Sequence, residues 1–125
     1  MRYSLLLHNQ EAEEAGVTEE QMAPFRAAFD AYARSLDEAG VLVSADILQP
    51  SAASTTVTLR GGTLRVQDGP FADTKEKLAG AFVIEVPDLD AAIVWAEKCP
   101  GAQYGVIEIR PSEIVFRDGQ WQTLA

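Results

Sequence analysis

The sequence predicts one α+β domain in which two helices cover one face of an antiparallel sheet. The length of 125 residues suits a single domain with a substantial core, and no segment has the composition of a linker. Apolar residues follow the period of a strand in some segments and the period of a helix in others. We therefore assign residues 1–125 to one domain and derive its fold from the order of these segments.

The first strand and the first helix are the earliest predicted elements. Tyr3 to Leu7 is a short, mostly apolar run that is typical of a strand. In the helix that follows, apolar residues recur at intervals of three or four and form one stripe: Met22, Phe25, Phe29, Tyr32 and Leu36. Thr18 has capping-box spacing with Gln21, whereas Pro24 predicts a separate first turn or a kink. The stripe predicts a helix that packs on a sheet.

A strand and a hairpin are predicted after this helix. Gly40 ends the helix, and the β-rich segment from Val41 to Leu48 follows it. Segments 55–60 and 63–67 flank a Gly-Gly pair, which is the signal of a two-residue hairpin turn.

The rest of the chain repeats the order of strand and helix. Gly80 to Val86 predicts a strand, and Asp88 is placed to cap the helix after it. The apolar positions of this helix are Leu89, Ala92, Ile93, Ala96 and Cys99. Pro100 stops the helix. Tyr104 to Arg110 predicts the last main strand, and Ile114 to Trp121 predicts a terminal hairpin.

With the hairpin at 55–67 treated as an insertion, the order is strand, helix, strand, strand, helix, strand. This is the ferredoxin-like βαββαβ order, in which the first and third main strands are central and both helices lie on one face. The other face, which carries Val83 and Val106 by alternation, then needs a cover.

This second face also carries candidate ligand contacts. Alternation along the strands places Glu85 and Glu108 on it. A mixed apolar and acidic face suits a homodimer interface that encloses a polar pocket. The alternative is that these carboxylates are solvated or paired with Arg110 and Arg60.

The run Asp68-Gly-Pro-Phe-Ala-Asp-Thr-Lys-Glu76, here called the signature loop, is the most specific motif of the chain. Its Gly-Pro pair predicts a turn directly after a strand, which presents the Asp68 carboxylate at the strand end. The run resembles the signature of the DGPF family, a branch of the YCII-related domain proteins, and the resemblance extends from Met1 to about Pro111. It implies that two such sheets pair into a dimeric α+β barrel, with a cavity between each sheet and the partner.

Asp68 and His8 are the candidate catalytic residues. His8 is the only histidine of the chain and lies at the exit of the first strand, where the antiparallel third strand also brings the Asp68 loop. A carboxylate beside an imidazole forms a usable general acid/base pair. In many relatives the histidine of the acid/base site lies inside the first helix, where this chain has Phe25 and Phe29, so the resemblance carries over Asp68 alone. An Asx-turn for Asp68 and a solvated His8 stay open as alternatives.

The signature loop supplies further candidates. Lys75 offers a positive charge for an anionic ligand, with a solvated lysine as the alternative, and Phe71 is a second candidate ligand contact. Asp73 and Glu76 have the spacing of a helix cap and its reciprocal partner, which predicts a short helical turn.

Composition limits the partners and the compartment. The net charge is −9 and no cluster of Lys or Arg interrupts it, so we expect neither nucleic acid nor membrane as a partner. Cys99 is the only cysteine, which excludes an internal disulfide and agrees with a reducing cytosol. The apolar run at the N-terminus is too short for a signal peptide or a membrane span. We therefore expect a cytoplasmic protein.

Two main functional hypotheses follow. The first is a dimeric module that binds a small molecule at the signature loop in a non-catalytic or regulatory role. The second is a cofactor-free acid/base enzyme that uses Asp68, with His8 as its partner. Since the sequence has no nucleotide loop, metal-ligand cluster or Ser/His/Asp motif, we expect no cofactor and no metal. Cofactor-free oxygenases of similar barrel architecture are a third, weaker analogy. Whether the chain is an enzyme stays open.

Overall fold

The computed structural model describes residues 1–123. This part of the chain contains two α-helices and eight strands, which confirms the predicted α+β class. In chain order they are β1 (Arg2–Asn9), α1 (Glu19–Glu38), β2 (Leu42–Ile47), β3 (Thr55–Arg60), β4 (Thr63–Asp68), β5 (Lys77–Glu85), α2 (Leu89–Lys98), β6 (Val106–Pro111), β7 (Ile114–Arg117) and β8 (Gln120–Thr123). Neither α1 nor α2 is long and apolar enough to cross a membrane.

Four strands form the main sheet in the order β2-β5-β1-β6, and all neighbours are antiparallel. The first and third main strands, β1 and β5, are central, as predicted. β3 pairs with β4 and β7 pairs with β8 in separate two-stranded sheets. The β3–β4 hairpin is thus inserted between β2 and β5, which also agrees with the prediction.

The hydrophobic core lies between the main sheet and both helices. Its buried residues are Tyr3, Leu5, Leu7, Tyr32, Leu36, Phe82, Ile84, Val86, Ala92, Ala96 and Cys99. The ring centroid of Phe82 lies 5.1 Å from that of Tyr32, edge to face, and 6.3 Å from that of Phe29. Tyr32 Oη donates a hydrogen bond of 2.8 Å to the carbonyl oxygen of Trp95, which joins α1 to α2. Both helices therefore share one face of the sheet.

The predicted helix caps are present. Thr18 Oγ1 accepts from the backbone N–H of Gln21 at 3.2 Å, and Gln21 Oε1 accepts from the Thr18 N–H at 2.9 Å. Asp88 Oδ1 accepts from the Ala91 N–H at 2.9 Å and caps α2. The separate first turn considered for Pro24 does not occur, since α1 runs through this residue as one helix. Pro24 is exposed near the helix start, where water can solvate the carbonyl group that it leaves unpaired.

The two central strands extend further than predicted. β5 begins at Lys77 rather than Gly80, because Leu78 and Lys77 pair with His8 and Asn9 beyond a bulge. His8 therefore lies within β1 rather than at its exit.

The segment between β4 and β5 is not helical, so the helical turn predicted from Asp73 and Glu76 is wrong. The segment is a series of bends. Asp73 Oδ1 lies 3.6 Å from Lys77 Nζ, and Thr74 Oγ1 donates a hydrogen bond of 2.7 Å to the carbonyl oxygen of Glu76. The Asp73 carboxylate thus approaches Lys77, four residues later, instead of capping a helical turn.

The second face of the main sheet, here called the open face, carries the residues that alternation assigned to it. Val83 pairs with Ser4, and Ser4 pairs with Arg110, so the three residues form a row across β5, β1 and β6. At one end of this face Arg117 Nη2 of β7 lies 3.9 Å from Glu85 Oε1. In residues 1–123 both helices lie on the opposite side.

Candidate functional site

The signature loop begins in a groove of about 430 Å³ at the base of the β3–β4 hairpin. The residues that line this groove are Thr56, Thr58, Arg60, Arg65, Gln67, Asp68, Gly69, Pro70 and Phe71. Thr56 Oγ1 donates to the carbonyl oxygen of Gly69, and the Gly69 N–H donates to the carbonyl oxygen of Ser54, each at 2.8 Å. Gly69 has a φ of 101°, which favours glycine. Two predicted site residues, Asp68 and Phe71, thus meet in one groove with two arginines.

The other three predicted ligand contacts, which are Lys75, Glu85 and Glu108, lie outside this groove. Lys75 is exposed in the bends between the groove and β5. Glu85 is exposed at the end of β5, on the open face. Within residues 1–123, no three His, Cys, Asp or Glu side chains are grouped as metal ligands.

His8 lies on the open face and pairs with Glu108. His8 Nε2 is 3.1 Å from Glu108 Oε1, and Arg110 Nε donates to Glu108 Oε2 at 2.8 Å. The hydrogen bond and charge of Arg110, followed by those of His8, lower the pKa of Glu108 below its ordinary value. The structure therefore brings His8 to Glu108, whereas Asp68 lies in the hairpin groove, which His8 does not line.

A larger pocket of about 750 Å³, here called the helix-side pocket, lies between the first half of α1 and the adjoining strand ends. It is on the side of the main sheet that the helices cover. Its apolar walls include Val17, Met22, Phe25, Phe29, Leu78 and Tyr104. The Phe25 and Tyr104 rings meet edge to face, with centroids 5.3 Å apart. Burial raises the pKa of Tyr104.

Lys77 forms the polar end of the helix-side pocket. Its side chain is 11% exposed, and its Nζ donates to Glu14 Oε1 at 2.5 Å. Glu11 Oε1 and Asp73 Oδ1 each lie 3.6 Å from the same Nζ. The hydrogen bond to Glu14 is the main cause that raises the pKa of Lys77, and the charges of Glu14, Glu11 and Asp73 add to it. One ammonium group is thus surrounded by three carboxylates.

Glu11 connects this cluster to the turn after β2. Both of its carboxylate oxygens accept from the backbone N–H of Ser51, at 3.1 Å each. Hydrogen bonding from Ser51 is the main cause that lowers the pKa of Glu11, and Lys77 contributes in the same direction. Glu11, Ser51 and Lys77 all line the pocket.

The sequence analysis missed the polar end of the pocket and read its walls as core. Phe25 and Phe29 do lie on the predicted helical stripe, but both are only half-buried because the stripe reaches past the core into the pocket. Lys77 was assigned no role. The sequence signal for its place at the polar end of the pocket was weak. It consisted of a basic residue at the start of a strand, in a chain that has an acidic loop after its first strand.

Comparison with known proteins gives two matches. The family model described as the YCII-related domain matches residues 1–114 of the chain. An uncharacterised protein of Rhizobium meliloti (strain 1021) is 34% identical to the chain over 113 residues, which cover 89% of this chain and 91% of that protein.

Proposed function

The chain belongs to the YCII-related domain family, and on that premise we propose that it is a cytoplasmic homodimer that binds a small molecule in a non-catalytic or regulatory role. The observation that carries the proposal is the helix-side pocket. Its volume of about 750 Å³ lies within the range of roughly 300–1,000 Å³ that is usual for small-molecule sites. Apolar and aromatic walls with a few polar groups at one end are also typical of such sites.

The chemistry of the pocket indicates the class of ligand. Its aromatic walls suit a flat apolar body, which stacks well against Phe25 and Phe29. At the polar end the Lys77 ammonium is already neutralised by Glu11, Glu14 and Asp73. An anionic ligand meets an excess of negative charge there, so the ligand is an aromatic molecule with a neutral or cationic polar group. The signature loop adjoins this end of the pocket through Asp73, whose Oδ1 lies 3.6 Å from Lys77 Nζ.

Fluorescent probes test this function. We expect phenylnaphthylamine, which is neutral and aromatic, to bind the protein with increased fluorescence. The anionic relative anilinonaphthalenesulfonate has a similar ring system and should bind more weakly. Absence of phenylnaphthylamine binding, or tighter binding of the sulfonate, would contradict the proposed ligand class.

A pair of tryptophan variants locates the probe. Val17→Trp places a large side chain in the helix-side pocket and should weaken phenylnaphthylamine binding, because the pocket is then partly filled. Ala27→Trp introduces the same residue on the exposed side of α1 and should leave binding unchanged. Equal effects of the two variants would place the bound probe elsewhere.

The proposed dimer uses the open face of the main sheet. Val106 on this face is 53% exposed, and Val83 in the row beside it is half-buried. An uncovered sheet face with apolar side chains favours association. Two copies that bring these faces together form the dimeric α+β barrel implied by the signature loop.

The alternative function is a cofactor-free acid/base enzyme, and the contact between His8 and Glu108 favours it. An ionised carboxylate only accepts hydrogen bonds, so His8 Nε2 donates to Glu108 and the Nδ1 of a neutral imidazole can accept a proton. In this version Glu108 takes the orienting role that was predicted for Asp68. The open face then holds the reacting groups inside the dimer.

A further inference from the structure

The β3–β4 hairpin has one apolar and one polar face. Cross-strand pairing places Val57 opposite Val66 and Leu59 opposite Leu64, and all four side chains are about 60% exposed. The intervening positions on the other face are Thr56, Thr58, Arg60, Thr63, Arg65 and Gln67. In an amphipathic hairpin of this kind, we expect the apolar face to pack against another surface.

Nothing in the described part of the chain covers that face. The two strands form a separate two-stranded sheet, joined near its base to the preceding turn by the hydrogen bond from Gly69 to Ser54. A two-stranded hairpin is at best marginally stable in water without further packing. The four aliphatic side chains therefore need a surface from outside this copy.

The C-terminal hairpin offers a matching surface. Phe116 and Trp121 pair across β7 and β8, with ring centroids 5.2 Å apart, and they are 58% and 65% exposed. Ile114 on the same face is 46% exposed. Both hairpin faces are thus exposed in the single copy.

We propose that the β3–β4 hairpin is a docking arm that packs its apolar face on the β7–β8 hairpin of a second copy of this chain. Charge supports a second copy as the occupant. Residues 55–68 carry Arg60 and Arg65 against Asp68 alone, on a chain with a net charge of −9. The arm is thus a basic segment of an acidic protein, and the negative charge of a second copy attracts it.

The groove that holds two predicted site residues lies on the polar side of the arm. The groove lined by Asp68 and Phe71 lies at its base, and Phe71 is 90% exposed. Because Thr56, Thr58 and Arg65 of the polar face also line this groove, docking of the apolar face leaves the groove accessible to solvent. The arm contact joins the same two copies as the proposed open-face contact, and it does not depend on the helix-side pocket.

Photo-crosslinking tests the contact directly. Leu64→benzoylphenylalanine is prepared in ¹⁴N and ¹⁵N forms, which are mixed, dissociated and reassociated before irradiation. We expect cross-linked peptides that combine both isotopes and include the segment from Phe116 to Trp121. Thr63→benzoylphenylalanine, on the polar face of the same hairpin, should give few such products. Products of a single isotope only, or no products from position 64, would overturn the docking arm.

A charge substitution gives a second measurement. Leu64→Glu should weaken self-association by about tenfold or more in sedimentation velocity, because it buries a carboxylate in an apolar contact. Thr63→Glu adds the same charge on the polar face and should have little effect. Equal association of the two variants would overturn the proposal. Circular dichroism checks that both variants keep the fold, which the hairpin's peripheral place in the structure should allow.

Discussion

Glu11 holds the backbone N–H of Ser51 with both carboxylate oxygens, at 3.1 Å each, although the two residues lie in separate loops. The contact ties the loop after β1 to the turn after β2 at the polar end of the helix-side pocket. Lys77 Nζ lies 3.6 Å from the same carboxylate. The shape of this end of the pocket therefore depends on an ionised Glu11.

The first prediction concerns the acid stability that Glu11 provides. Its pKa is lowered in the folded state from the ordinary value of 4.5, so its contribution is fully present above pH 4.5 and is lost as pH falls through the lower folded value. Glu11→Gln should lower the free energy of unfolding at neutral pH by about 1 kcal/mol, less than the roughly 1.5–3 kcal/mol of a charged hydrogen bond, because the glutamine oxygen can still accept from the Ser51 N–H. It should also make stability less dependent on pH below 4.5. Urea unfolding across this pH range measures both effects.

Glu113→Gln is the matched control for that substitution. Glu113 is exposed in the short link between β6 and β7. Its replacement should leave both the stability at neutral pH and the acid dependence close to those of the wild type. If Glu11→Gln behaves like this control, the carboxylate does not hold the pocket end in solution.

The second prediction compares two phenylalanines. Phe29→Ala should destabilise the fold by about 3 kcal/mol, at the lower end of the range for emptied aromatic sites, because Phe29 stacks on Phe82 but is only half-buried. Phe71→Ala removes the same ring from a position that is 90% exposed and should change stability by less than about 0.5 kcal/mol. Urea unfolding of both variants measures the difference. Unchanged stability in Phe29→Ala would show that this part of the stripe only lines the pocket.

Much of the fold was predictable because its signals are local. The alternation around Phe82 and Ile84 separates the two faces of β5, since neighbouring residues of a strand point in opposite directions. The cap of α1 at Thr18 was also visible from a spacing of three residues. The start of β5 was missed because its pairing with Asn9 continues past a bulge, and a bulge has no local signal in this segment.

The candidate site was less predictable because its contacts join distant segments. Lys77 meets Glu11 and Glu14 only after β1 and β5 have paired, and no local pattern marks that meeting. His8 was assigned to Asp68 because both were expected at one end of the sheet. The longer β1 places His8 on the open face, where Glu108 of the neighbouring strand is within reach.

The third prediction tests the homodimer and its interface. We expect the wild type to sediment as a dimer at micromolar concentration. Val83→Asp should give monomers, because it buries an unpaired carboxylate in the open face. Ala27→Asp, which adds the same charge on the exposed side of α1, should stay dimeric. A wild-type monomer at this concentration, or a Val83→Asp variant that dimerises as tightly as the wild type, would show that the open face is not the interface.

The last prediction identifies the partner of His8, on which the enzymatic alternative depends. The chain has one histidine, so its imidazole nitrogens give a single set of NMR signals. Since Glu108 Oε1 lies 3.1 Å from His8 Nε2, Glu108→Gln should shift the Nε2 resonance and alter the balance of the two tautomers. Asp68→Asn changes a carboxylate in the hairpin groove and should leave the imidazole signals in place. A response to Asp68→Asn without one to Glu108→Gln would restore the pair predicted from the sequence, and with it the role of Asp68 as the group that orients the imidazole.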